Sequence, residues 1–178
     1  MRILYRVRQF WRTIFVKTDH LELERAMAIL TPEQAGLFSQ LQPAEKEHAL
    51  VMVRKLTVQG ENQPDLLMAA LLHDVGKLRY RLHPVERTMV VLVKAVMPGK
   101  AHQWGSLPPA GWNEVPAWRK AFVVAEQHAE WGAQLAHQVG VSSLVETLIR
   151  EHHNPHSYAA GTAETSLQHK LWVVDNES

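Results

Sequence analysis

From residue 31 onward, prolines stand where apolar segments begin and glycines where they end. Thr31-Pro32 opens one segment, Pro43 another that runs to Gly60, Pro64 a third that closes at Gly76, and Pro116 a long one that reaches Gly140. Proline suits the first turn of a helix, where its missing N–H is not needed, and glycine suits the position just past the end. Between these marks the apolar residues recur at helical spacing, and no run alternates with the period of two that a half-buried strand requires. The pattern therefore predicts an all-α bundle. Further helices are expected over Val85 to Met97, from Ser143-Leu-Val-Glu146 (a capping-box wording) to Asn154-Pro155, and over Glu164 to Asp175. The stretch 98–116 holds four prolines, three glycines, Trp104 and Trp112, and reads as irregular. A loop that long is either functional, as a lid is, or an insertion packed by its own tryptophans.

At 178 residues the chain can bury a real core in one compact domain. A formal net charge of +1 excludes nucleic acid as an obligatory partner, because phosphate-backbone binding needs a strong basic surplus. The absence of cysteine excludes disulfides and thiolate metal sites. No stretch approaches a membrane span of about 18 apolar residues. Residues 1–17 carry Arg2, Arg6, Arg8, Arg12 and Lys17 with no acid, and these interrupt any signal-peptide core, so a cytoplasmic location is expected. The same segment reads as a basic amphipathic helix with Tyr5, Phe10, Trp11 and Ile14 on it. Packing on the bundle is its plainest role; sealing a homodimer or lying on an acidic membrane surface are the others.

Eleven histidines are present, and their placement matters more than their number. His48 shares a stripe with Val51, Met52 and Leu56; His128 shares one with Ala121, Val124, Ala125, Gly132 and Leu135. His152 follows Val145, Leu148 and Ile149 in the same way, and Asp175 follows Leu167 and Leu171. His73 and Asp74 end an almost wholly apolar helix that should run through the middle of the bundle. His137, nine residues after His128, faces the opposite side, and His20, His102, His156 and His169 read as surface or loop residues. Trp131 reads as core packing. A single inward histidine is most simply a hydrogen-bonded core residue. Five helices that each turn an imidazole or carboxylate inward need a partner for so much buried polarity, and a divalent cation is the economical one.

These residues resemble the HD superfamily of metal-dependent phosphohydrolases. The signature is Leu71-Leu72-His73-Asp74-Val75-Gly76-Lys77, with His48 upstream and Asp175 in Leu171-Trp-Val-Val-Asp175 downstream. The resemblance covers residues 40–178 and leaves 1–39 as an N-terminal helical extension, with 98–116 as an insertion. It implies an HD-type helical bundle with a metal site between core helices, held by His48, His73, Asp74 and Asp175. His128, in His128-Ala-Glu-Trp-Gly132, and the pair His152-His153 look like the histidines with which some members hold a second ion; helical spacing favours His152 over His153. Asp74 would then bridge the two.

The implied reaction is hydrolysis of a phosphate ester, from a nucleotide or related small molecule, by metal-activated water. Nucleoside monophosphates, dinucleotide polyphosphates and cyclic nucleotides all fit. Cyclic di-GMP is not implied, since Asn154-Pro155 follows the paired histidines in place of a Gly-Tyr-Pro wording. One or two ions of Mn, Fe, Co, Ni or Zn suit the ligand types better than Mg. Asp74 and Lys77 are the expected catalytic residues, Lys77 and Arg81 the expected substrate contacts, with Arg79 and His83 extending an anion-binding rim. The alternative is an HD fold that binds metal or nucleotide without turnover, as a sensor or regulatory module.

Overall fold

A computed structural model describes residues 20–109, 111–154 and 163–178. The basic segment 1–17 and His156 lie outside the described residues. Nine α-helices are found among those described, and no strand: α1 (His20–Met27), α2 (Pro32–Ser39), α3 (Pro43–Val58), α4 (Pro64–Leu72), α5 (Pro84–Val96), α6 (Pro98–Gly105), α7 (Ala117–Gln138), α8 (Ser143–Glu151) and α9 (Ala163–Glu177). The all-α reading holds. Proline sits in the first turn of α2, α3, α4, α5 and α6. Gly60 and Gly140, just past α3 and α7, take positive φ as helix-ending glycines do. Thr31 closes a capping box with Gln34, whereas α8 is capped by Ser142, one residue before the expected start, through a bond from the Val145 N–H.

Two segments differ from their sequence reading. The stretch 98–116 is not irregular: it contains α6 and a 3-10 turn at Trp112–Glu114. Pro98 both ends α5 and opens α6, and Trp104 packs edge-on against Phe122 and Trp118 of α7. The signature helix also ends sooner than Gly76. Here α4 stops at Leu72, His73 caps it, and a 3-10 turn runs over Val75–Arg79.

Two apolar clusters hold the helices together. The larger draws on α3, α4, α8, α9 and the second half of α7, and the smaller on α5, α6 and the first half of α7. Leu66, Ala69, Ala70, Leu71 and Leu72 of α4 are fully buried, which makes α4 the central rod of the larger cluster. α7 belongs to both clusters, giving Ala121 to Val124 and Trp131 to the smaller and Ala133 and Ala136 to the larger, with His128 between Val124 and Trp131. Among the described residues, no helix is long and apolar enough to cross a membrane.

Candidate metal centre

The 3-10 turn after α4 lies directly on α7. Gly76 and Gly132 permit this. A β-carbon on Gly132 would come within 3.3 Å of the Gly76 nitrogen and the His73 carbonyl oxygen. With no side chain at either position, the His73-Asp74 corner is pressed against the turn of α7 that carries His128.

Three buried imidazoles are oriented by the backbone of their own helices. Nδ1 of His73 donates to the Ala70 carbonyl (2.9 Å), Nδ1 of His128 to Val124 (2.9 Å) and Nδ1 of His152 to Ile149 (2.6 Å). A carbonyl accepts only, so each ring carries its proton on Nδ1 and, when neutral, offers a lone pair at Nε2. Burial holds both His128 and His152 below the ordinary histidine range, His152 at about 3. Both are therefore neutral at physiological pH.

The lone pairs converge on carboxylates. Nε2 of His73 lies 3.5 Å from Asp74 Oδ2 and 3.7 Å from Asp175 Oδ1, and Nε2 of His128 lies 3.4 Å from Asp74 Oδ1. His48, by contrast, donates from Nε2 to Asp175 Oδ1 (2.9 Å). His153 is half exposed, and its Nε2 hydrogen-bonds to His128 Nε2 at 3.0 Å, with His153 the donor because the His128 proton is on Nδ1. Nε2 of His73 and of His152 are buried and make no hydrogen bond. The lone pairs of His73 and His128 that face the buried Asp74 carboxylate repel it unless a cation stands among them. The donor set fits a divalent ion.

Two groups have the necessary spacing. Ligand atoms of His48, His73 and Asp74 lie within 4.8 Å of one another, as do those of His128, His152 and His153. Asp74 reaches both groups, with Oδ2 toward His73 and Oδ1 toward His128. Asp175 does likewise, since its Oδ2 is 3.8 Å from His153 Nδ1. Burial alone would raise both acids, yet each is held below the usual carboxylate range. For Asp74 the lowering comes from Lys77, His73, His128 and His48; for Asp175 it comes from the His48 hydrogen bond and the neighbouring His73, His48 and His152.

A model of the HD domain family matches residues 46–176, from within α3 to the end of α9. The chain belongs to that family. No match is found among curated proteins, nor among solved structures. Every HD-type position named from the sequence, from His48 to Asp175, falls inside the matched span.

Placement of the remaining candidates is mixed. Lys77 Nζ pairs with Asp74 Oδ2 at 2.6 Å, and its side chain keeps 26% of its surface exposed. Arg81 is exposed and lines a small crevice with Lys77, Glu45 and Gln42. Arg79 is not simply a free rim cation: its guanidinium lies over the Trp131 ring, 4.6 Å from the centroid, and 5.8 Å from that of Trp112. The His83 N–H donates to Glu86 at the start of α5. His102 and His137 are exposed and paired with Glu126 and Glu146. Trp131 is buried in the smaller cluster. Helical spacing passed over His153, which follows the α8 cap at His152, where the phase of the helix no longer sets direction.

Proposed function

We propose that this HD protein is a metal-dependent phosphohydrolase that acts on a phosphate ester of a nucleotide or related small molecule. His48, His73, Asp74 and Asp175 would hold one ion, and His128, His152 and His153 a second, with Asp74 between them. One observation carries the reading: His73 Nε2 and His152 Nε2 are buried without a hydrogen bond, although their rings are fixed by Nδ1–H bonds. A ring oriented from behind by a carbonyl, with its other nitrogen unused, has the arrangement of a metal-ligating histidine and its supporting shell.

When bound, such an ion supplies a nucleophile from water near neutral pH and neutralises charge on a phosphoryl oxygen. Imidazole-rich sites without thiolate favour Mn, Fe, Co, Ni or Zn over Mg, which prefers oxygen ligands. Asp74, held ionised, orients the attacking side of the site. Lys77, on the exposed side of Asp74, can turn from that carboxylate to a substrate phosphate, with Arg81 beyond it as a second cation. The buried imidazoles stay neutral through burial and keep their lone pairs for ligation.

The test is metal analysis of protein purified without chelator, followed by a screen with Mn, Co and Ni. Nucleoside monophosphates, dinucleotide polyphosphates, cyclic nucleotides and a generic phosphodiester form the panel. At least one ion per chain and turnover on one class are expected. Metal loading with no turnover on any class would favour a regulatory module, and metal content near zero after incubation with all three ions removes the reading.

A further inference from the structure

Helix α5 has two unlike sides. It enters the smaller core through Val90, and its cations point the same way. Arg87 pairs with Glu45, and Lys94 donates to the Ala125 carbonyl of α7 (3.1 Å). On the opposite side, Val85 is 80% exposed, Met89 37%, Leu92 43% and Val96 70%. Steps of four, three and four residues keep these side chains on one line along three turns. Single exposed aliphatic residues need no explanation, but a continuous stripe does.

We propose that this stripe is a homodimer contact, in which α5 packs antiparallel against α5 of a second copy. The spacing is its own mirror. A two-fold axis between Val90 and Val91 sets Val85 of one copy against Val96 of the other, and Met89 against Leu92. An isologous contact requires this self-complementarity, whereas an unrelated partner would not. The flanks allow close approach on one side, where Thr88 and Ala95 are short. Charge does not oppose it either. α5 carries three charged residues, and each is engaged in its own chain: Arg87 and Lys94 as above, and Glu86 with the Tyr80 hydroxyl (2.9 Å) and the His83 N–H (2.8 Å). Pairing therefore buries no unpartnered charge of α5.

Other occupants fit less well. A membrane-binding face carries basic residues beside its apolar stripe, and here Arg87 and Lys94 lie on the far side. The chain's own residues 1–17, with five cations and no acid, would find on α5 only the acid Glu86, which already accepts from Tyr80 and the His83 N–H. One helix pair lies at or below the roughly 1,200 Å² of a standard interface, so a weak dimer is expected, with a micromolar dissociation constant.

The test is sedimentation velocity of the full chain across a micromolar concentration series. The mass should rise from one copy toward two. Leu92→Glu should raise the dissociation constant by at least about tenfold, since it presents an unpaired charge to the apolar contact. Its circular dichroism should be unchanged, and so should its melting point at concentrations where wild type is also monomeric, because the position is exposed in the single copy. Val96→Glu, at a still more exposed site, serves the same purpose if Leu92→Glu misfolds. The double variant Met89→Lys with Leu92→Glu sets opposite charges face to face across the two-fold and should recover the dimer. A chain that is monomeric at every concentration overturns the proposal. So does a dimer indifferent to Leu92→Glu and Val96→Glu. Loss of the dimer on deletion of residues 1–19, with those two variants silent, also overturns it and assigns the contact to that segment.

Discussion

A β-carbon on Gly76 would stand 1.9 Å from the carbonyl oxygen of His128. No side-chain motion relieves this, because the obstruction is the backbone of α7. Gly76→Ala must therefore push the 3-10 turn off α7 and carry the His73-Asp74 corner with it. Overpacking of this kind costs about 1–3 kcal/mol or more. Gly132→Ala meets Ile149 Cγ2 at 3.2 Å and the turn's backbone at 3.3 Å, which a small shift can absorb. Thermal melts should rank the two, with Gly76→Ala the lower, and metal affinity should fall in the same order. Equal melting points would contradict the close-packing role given to Gly76.

That role was invisible in the sequence for a physical reason. Gly76 reads as a helix stop, a local property, whereas its actual constraint is the path of α7, more than fifty residues away. The prolines were legible because their effect is local: a fixed φ and a missing N–H act within one turn. Pro98 was half legible, read as the end of α5 but not as the start of α6, since both roles use the same geometry. The inward faces of His48, His128 and His152 followed from period alone. His153 did not, because period has no meaning past a helix cap. Arg79 looked like a free cation until the fold brought Trp112 and Trp131 beneath it.

Acid should destabilise the metal-free protein in two stages. Partial or complete burial holds His152 at about 3 and His153 at about 4, below the ordinary 6.5. The unfolded chain then binds protons that the fold refuses, so the stabilisation from these rings is complete above about pH 6.5. It declines as pH falls and is lost through about 4 and then 3. Asp74 and Asp175, held below 3.8, lose their contribution only at lower pH. In chelator, the melting point should drop steadily from about pH 7 to about pH 4. A flat curve across that window would show that these histidines are not held neutral by the fold.

Metal stoichiometry should separate the two ligand groups. Both His152 and His153 belong to the group with His128. His128→Ala, His152→Ala and His153→Ala should each remove one ion of two, while His48→Ala weakens the other. Ion at a hundred times its dissociation constant stabilises by about 2.7 kcal/mol, so loss of an ion also shows as a smaller melting-point rise on metal addition. Full occupancy in His153→Ala would return the second site to His128 and His152 alone.

The sharpest contrast lies within a few residues of α4. Leu71 is fully buried in the larger core, while His73 and Asp74 stand just past the helix and turn toward the other ligands. Leu71→Ala removes packing and should cost about 2–5 kcal/mol, as cavities in a close-packed core do. It is not one of the ligand residues, so metal content should persist below its lowered melting point. The double variant His73→Ala with Asp74→Ala should do the opposite. It deletes the hydrogen bond to the Ala70 carbonyl, a loss of about 1 kcal/mol, and the part-exposed Lys77–Asp74 pair, and it also removes lone pairs that repel one another in the metal-free state. Its helix content and melting point should approach those of chelated wild type. Its metal content should fall, and turnover on any substrate that wild type hydrolyses should drop by several orders of magnitude. Unchanged turnover in the double variant would place the chemistry elsewhere. A collapse of its helix content would mean that the His-Asp pair is part of the scaffold.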